Sequence, residues 1–121
     1  MNELRLTLPL PPSANKIHTV DRSGHIIHSK VARSWKKAAA LEARRQAKAQ
    51  QWTVPEPGWV RLTFFATFPD RRVRDVTNLH KITCDALVGV CYQDDRWALA
   101  HDEPPVYEKG TARLELVVTC E

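Results

Sequence analysis

The chain has 121 residues, 43% hydrophobic and 26% charged, which suits one globular domain with its own core. No apolar run approaches the length that spans a bilayer, so the composition excludes a transmembrane helix and favours no membrane partner. The net charge of +4 is unevenly distributed along the chain. Residues 1–52 carry ten Lys and Arg against three acids, whereas residues 53–121 carry eight against eleven. This asymmetry favours a polyanion partner for the first part and a cation site in the second.

The first predicted element is a strand in which three leucines alternate with polar residues and which stops at Pro9. These leucines are Leu4, Leu6 and Leu8. Glu3 and Arg5 stand where a signal peptide has its apolar stretch, so we expect a cytoplasmic protein. The stretch that follows, up to Ser29, is rich in proline and is predicted as an ordered loop with room for a small hairpin, in which Ile26–His28 is extended.

A long helix is predicted next, from Lys30 to about Gln51. This segment contains neither Gly nor Pro, is rich in alanine and follows Ser29, a suitable N-cap. Its polar faces carry seven cations and one acid, Glu42. The cations are Lys30, Arg33, Lys36, Lys37, Arg44, Arg45 and Lys48. A solvated surface and a phosphate-binding surface are both consistent with this helix.

The clearest strand pattern follows a Pro-Gly break and alternates apolar and polar residues until Pro69. Its apolar positions are Val60, Leu62, Phe64, Ala66 and Phe68. A second helix is then predicted up to about Gly89, because apolar residues recur at helical spacing and Asp75 or Thr77 could cap it. These apolar-face residues are Leu79, Ile82, Thr83, Ala86 and Leu87.

Two strands are predicted after Asp95, a short one at Trp97–Ala100 and a stronger one at Ala112–Thr119, with a turn at Lys109-Gly110 between them. The order is therefore strand, helix, strand, helix, strand, strand. It predicts an α+β fold with a single small mixed sheet and two main helices, in one domain over residues 1–121.

The segment from Pro69 to Asp95 sets isolated carboxylates in a cationic neighbourhood. Asp75 follows three arginines, Lys81 comes six residues later, and Asp94-Asp95 lies beyond the second helix. The arginines are Arg71, Arg72 and Arg74, which suit backbone phosphates. Two carboxylates and water can satisfy Mg²⁺, which takes further oxygen ligands from phosphate. Together these residues suggest metal-assisted chemistry on a phosphodiester, with Lys81 stabilising the developing charge.

A structural interpretation of the same residues stays open beside this one. Asp75 could merely cap the helix, Lys81 could pair with Asp85 at i, i+4, and Asp94-Asp95 could form an acidic turn. Cysteines 84 and 91 are expected in the core, since no C-x-x-C pair is present. The five histidines show no convergent pair and are expected in surface or loop roles. The sequence has no glycine-rich phosphate loop, so we expect no nucleotide cofactor.

Several short motifs, taken in order, resemble the RusA family of Holliday-junction resolvases, small Mg²⁺-dependent endonucleases often associated with phage or prophage. The motifs are L-P-x-P-P-S at Leu8–Ser13 with Asn15 after it, P-D-R-R-x-R-D at Pro69–Asp75, N-L-x-K at Asn78–Lys81, D-A-L at Asp85–Leu87, D-D at Asp94-Asp95, and R-L-E-L at Arg113–Leu116.

The resemblance implies a Mg²⁺-dependent endonuclease that nicks four-way junctions in DNA recombination and repair, acting as a symmetric homodimer on branched DNA. It implies Asp75, Lys81 and Asp95 as catalytic residues, with Asp75 and Asp95 as metal ligands and Asp94 as a further candidate ligand. The expected DNA-binding residues are Arg71, Arg72, Arg74, Asn15, Lys16, Lys36 and Lys37.

The sequence departs from the family motif D-x-D-N-L-x-K at its second acid, which is Thr77 here. Threonine offers a neutral oxygen but no charge for a metal. The alternative hypothesis is therefore a RusA-like protein that binds branched DNA without cutting it.

Overall fold

The alternating leucines of the N-terminal segment form a strand in the computed structural model, which describes residues 3–72 and 74–121. The strands are β1 Glu3–Leu8, β2 His18–Val20, β3 Ile26–His28, β4 Val60–Phe68, β5 Ala98–Asp102, β6 Val106–Tyr107 and β7 Arg113–Cys120. The helices are α1 Lys30–Ala49 and α2 His80–Ala86, and 3-10 turns lie at Ala14–Lys16, Val76–Leu79 and Asp95–Trp97.

The main sheet has the strand order β1-β7-β4-β5, and β6 pairs with β4 beyond the end of β5. β7 is antiparallel to both of its neighbours, whereas β5 and β6 run parallel to β4, so the sheet is mixed. Alternation places the apolar side chains on one face, where Leu6, Leu116 and Phe64 form one row across three strands. This face forms the core.

Helix α1 lies along β1 and buries a stripe of small residues and one tryptophan. The stripe consists of Ala32, Trp35, Ala39, Ala43 and Ala47. Ser29 caps the helix by accepting the N–H of Ala32 at 3.1 Å. The Gln46 amide bonds both backbone groups of Thr7 at 2.7 Å, so the helix also covers the open edge of β1.

The α+β fold, the mixed sheet and the two main helices are confirmed. The N-terminal loop does contain a small hairpin, in which β2 and β3 form a separate two-stranded sheet. The two-residue strand β6 was not predicted, since a segment of that length has no periodicity to detect. None of the described helices is long and apolar enough to cross a bilayer.

The second helix is shorter than predicted, because Val76–Leu79 forms a 3-10 turn and α2 follows it. At the other end Gly89, with a φ of 85°, turns the chain, and the buried Tyr92 hydroxyl donates to the Cys84 carbonyl at 2.7 Å. Cys84 and Cys91 are buried, as predicted. The Val76–Leu79 turn and α2 thus connect the end of β4 to the acidic turn at Asp95.

Candidate active site

Asp75 precedes the Val76–Leu79 turn and caps it. Its Oδ1 accepts the backbone N–H of Thr77 at 3.1 Å and the Thr77 hydroxyl at 2.6 Å. The predicted capping role is thereby confirmed. Within residues 3–72 and 74–121, Oδ2 of Asp75 has no hydrogen-bond partner, and the side chain is exposed. One carboxylate oxygen is therefore available to another ligand.

The Lys81 ammonium lies between two carboxylates. Its Nζ is 3.0 Å from Oδ1 of Asp85, which lies one helical turn further along α2. The same Nζ is 3.4 Å from Oδ2 of Asp95, in the 3-10 turn Asp95–Trp97. The predicted i, i+4 pair is thus present, and the fold adds Asp95 to it. Asp85 and then Asp95 raise the pKa of Lys81, so the amine is charged at neutral pH.

Asp85 is the more enclosed of the two carboxylates around Lys81. Burial alone would raise the pKa of Asp85, but its side-chain interactions with Asp95 and Lys81 outweigh this effect and hold the pKa below its ordinary value. The sequence predicted Asp85 as the i, i+4 partner of Lys81. The structure makes it part of the same charged cluster as Asp95.

The two acids of the Asp94-Asp95 pair are used differently. Asp94 caps the turn at Asp95–Trp97, where its Oδ1 accepts the backbone N–H of Arg96 at 2.9 Å. Asp95 turns toward Lys81 instead. The geometry therefore separates a capping acid from an acid of the lysine cluster.

Two concave surfaces flank the Val76–Leu79 turn. The first, which we name the arginine cleft, has a volume of about 570 Å³. Its polar lining consists of Ser13, Asn15, Lys16, Arg72, Arg74, Asp75 and Asn78. The second, the histidine pocket, has a volume of about 240 Å³. It is lined by His18, His28, Thr77, Asn78 and Lys81 between Ile17 and Ile82. Asn78 borders both surfaces, and the bond from Thr77 to Asp75 joins them.

The three arginines before Asp75 have distinct surroundings. Arg74 donates to the Asp70 carbonyl at 3.0 Å and to its Oδ1 at 2.7 Å, and its guanidinium stacks on a phenyl ring of β4. Arg71 stacks on Tyr107, 4.9 Å from the ring centre. The Arg72 side chain is 83% exposed, with one Asp70 oxygen at 3.6 Å. Arg72 is therefore the arginine most accessible to a ligand in the cleft.

The prediction that no histidines converge was wrong for His18 and His28. The hairpin pairs these two residues in register, with ring centres 5.3 Å apart. A usable signal was present, because the two positions are equidistant from Ser23 in the Ser-Gly turn. Lys36 also approaches this pair, with its Nζ 3.5 Å from Nδ1 of His28. Neither Lys36 nor the exposed Lys37 lines the two concave surfaces of the described chain.

His80 points away from Lys81, because adjacent side chains on a helix diverge. Its Nε2 is 2.8 Å from Asp102 Oδ1, and its ring packs on Phe64 with centres 4.7 Å apart. This half-buried pair fastens the start of α2 to the sheet. The first helical turn of α2 is thereby fixed, which positions Lys81 on the opposite side.

No curated protein matches this chain. A family model, endodeoxyribonuclease RusA, matches residues 9–119 of the 121 residues. The matched span includes the arginine cleft, the histidine pocket and the cluster around Lys81. The chain therefore belongs to the RusA endodeoxyribonuclease family.

Proposed function

We propose that this single-domain protein is a structure-selective DNA endonuclease that nicks four-way junctions by Mg²⁺-dependent hydrolysis, in DNA recombination and repair. The observation that carries this proposal is the charged Lys81 ammonium, held by Asp85 and Asp95 in a pocket with Thr77, which donates to Asp75, in a chain of the RusA family. A phosphodiester needs this type of fixed positive charge where negative charge develops.

The oxygen donors around this cluster fit Mg²⁺ with two protein ligands. Described residues form no group of three or more His, Cys, Asp or Glu that could hold a metal, so a site built from protein alone is unsupported. Mg²⁺ commonly takes one or two carboxylates and completes its shell with water and phosphate oxygens. We assign Asp75 and Asp95 as these ligands. Asp94 is the weaker candidate, since the backbone of Arg96 occupies one of its oxygens.

Bound Mg²⁺ would neutralise phosphate charge and lower the pKa of an attacking water. Lys81 acts as a point charge toward the phosphorus centre or the leaving oxygen. Asp85 holds Lys81 in place, and the Thr77 hydroxyl orients the Asp75 carboxylate. The protein thus fixes both its positive and its negative groups before DNA binds.

Backbone phosphates would be held on the arginine cleft and on helix α1. The proposed contacts are Arg71, Arg72, Arg74, Asn15, Lys16, Lys36 and Lys37. Contacts of this kind read the shape of DNA and the positions of its phosphates more than its base edges, which suits selectivity for a branched structure. A symmetric homodimer would match the near two-fold symmetry of a four-way junction and the pairing of its nicks.

The test uses pure protein with an end-labelled synthetic four-way junction and, separately, a linear duplex of the same arm sequence. We expect nicks with 5′-phosphate ends in the junction only, dependent on Mg²⁺ and absent with EDTA. Asp75→Asn should retain junction binding but cut at least about 100-fold more slowly, because a metal ligand is lost. Glu56→Gln, the same acid-to-amide change at an exposed loop position, should cut normally.

Two results would contradict the proposal. Junction binding without metal-dependent nicks would show a protein that recognises branched DNA and does not cut it. Equal binding to junction and linear duplex would remove the structural selectivity.

A further inference from the structure

The hairpin of β2 and β3 presents two imidazoles that the proposed catalytic set does not use. His18 and His28 face each other across the hairpin and line the histidine pocket together with Thr77 and Lys81. Both strands of the hairpin are largely exposed, so these rings are not core residues. The rings therefore lie beside the proposed reaction centre and remain accessible to a ligand.

The contact with Lys36 determines which nitrogen of His28 carries the proton. Lys36 Nζ lies 3.5 Å from Nδ1 of His28, and an ammonium has only donors, so Nδ1 accepts and Nε2 carries the hydrogen. Burial, followed by the charges of Lys36 and His18, lowers the pKa of His28. At neutral pH His28 is thus a neutral imidazole that donates from Nε2.

The charges around the histidine pocket favour an anion over a cation. Lys81 on α2 lines it, and Lys36 on α1 brings a second ammonium group to the Nδ1 side of His28. Asp85 is the acid that acts on His28, but its carboxylate is bonded to Lys81. A metal ion would be repelled by the two ammonium groups, whereas a phosphate oxygen would accept a hydrogen bond from Nε2 of His28.

We propose that the histidine pocket binds a DNA backbone phosphate adjacent to the one that is cut, with His28 Nε2–H and the His18 imidazole as donors and with Lys36 fixing the tautomer of His28 from the other side of its ring. This inference rests on the proposed endonuclease function and adds the hairpin to the DNA-binding surface. Since Thr77 and Lys81 belong to both the pocket and the reaction centre, a phosphate held there fixes the DNA strand relative to Asp75. His18 and His28 are contact residues in this arrangement and take no part in the chemical step.

The experiment measures the dissociation constant of the labelled junction in EDTA, where nothing is cut. His28→Ala should weaken binding about tenfold, the usual effect of losing a hydrogen bond to a charged group. His28→Gln keeps an N–H donor near the position of Nε2 and should bind within about threefold of the wild type. His25→Ala removes an imidazole from the same hairpin that is 78% exposed and lies 3.6 Å from an Asp21 oxygen, and it should bind like the wild type.

Salt dependence separates the roles of the two side chains. Lys36→Ala should reduce the slope of log affinity against log salt by about one, since its ammonium is one of the proposed contacts to backbone phosphates and releases a counterion. His28→Ala should leave that slope unchanged, because the imidazole is neutral. Melting temperatures of all variants, measured without DNA, identify any that are misfolded.

Three outcomes would overturn the inference. If His28→Ala binds the junction with wild-type affinity, the inference is wrong while the proposed function stands. The same holds if His25→Ala weakens binding as much as His28→Ala does. A loss that His28→Gln does not restore, together with a lower melting temperature, would assign His28 a structural role. A wild-type protein without affinity for the junction would overturn the proposed function and this inference with it.

Discussion

The arginine cleft and the histidine pocket lie on opposite sides of the Val76–Leu79 turn, and their cations are differently engaged. In the cleft, Arg74 is bonded twice to Asp70 and stacked on Phe68, so much of its charge serves the protein itself. At the histidine pocket, Lys36 approaches the neutral imidazole of His28. Lys81 has one N–H left for a ligand after its two hydrogen bonds to carboxylates of the described chain. The hydrogen bonds of Arg74 therefore hold the cleft in shape, whereas the pocket presents hydrogen-bond donors to a ligand.

We call Asp75 and Thr77, which separate the two surfaces, the ridge. The proposed chemistry depends on the hydrogen bond between these two side chains. Thr77 lines the pocket, and Asp75, whose carboxylate accepts the Thr77 hydroxyl, lines the cleft. A DNA strand that contacts both surfaces would cross this hydrogen bond. The comparison thus predicts that changes on the ridge and in the lysine cluster affect cleavage, and that changes in the cleft affect binding.

The largest expected effect is that of Lys81→Ala. Cleavage of the junction at saturating protein should fall at least about 100-fold, since preorganised charge at a transition state is commonly worth that much. Junction affinity should change less than about threefold. Lys109→Ala removes the same charge from an exposed turn and serves as the control. A loss of affinity as large as the loss of cleavage would erase the distinction between the two surfaces.

Thr77→Asp should change cleavage in the opposite direction. A carboxylate at this position would stand close to Asp75, where the hydroxyl now donates at 2.6 Å, and two such acids repel unless a cation binds between them. We expect about tenfold faster cleavage at limiting Mg²⁺ and a larger rise in melting temperature with Mg²⁺ than in the wild type. The uncharged Thr77→Asn is the matched control. No gain would mean that the reaction centre is adapted to threonine.

Local sequence pattern predicted one part of this molecule well. The strands β1, β4 and β7 and the helix α1 follow from apolar periodicity, and their predicted ends were close to the observed ones. Asp75 as a cap and Asp85 as the partner of Lys81 follow from residue type and helical spacing. These features depend on neighbours a few residues apart, which a sequence displays directly.

The remaining features depend on contacts between distant segments. The meeting of Lys81 with Asp95 needs the chain to return past Gly89, and the parallel pairing of β4 with β5 and β6 needs the complete sheet. His18 and His28 meet only because the short hairpin adopts one register, and a one-residue slip would separate them. The histidine pocket was therefore missed, although its separate parts were visible.

The pH dependence of stability should also differ between the two surfaces. The pKa of Asp85 is lowered, so its stabilising effect is complete above the ordinary value of 3.8 and is lost as the pH falls through the lower folded-state pKa. At pH 7, Asp85→Asn should lower the melting temperature by a few degrees, which corresponds to about 1 kcal/mol in the free energy of unfolding. Below about pH 4, the melting temperature of this variant should fall less steeply than that of the wild type. Asp70→Asn makes the same change beside the cleft, where the acid is more exposed. We expect Asp70→Asn to change the melting temperature less than Asp85→Asn does. A larger change would mean that the stronger electrostatic coupling lies beside the cleft.

The smallest expected effect is that of Arg72→Ala in the arginine cleft. Its side chain is 83% exposed, against 26% for Arg74, so its loss should leave the fold intact. If the cleft holds a backbone phosphate, the slope of log affinity against log salt should fall by about one, and affinity should fall only a few-fold. Cleavage at saturating protein should not change, because Arg72 is separated from Lys81 by the ridge. An unchanged salt slope would remove Arg72 from the DNA-binding surface, and slower cleavage at saturation would show that the cleft takes part in the chemical step.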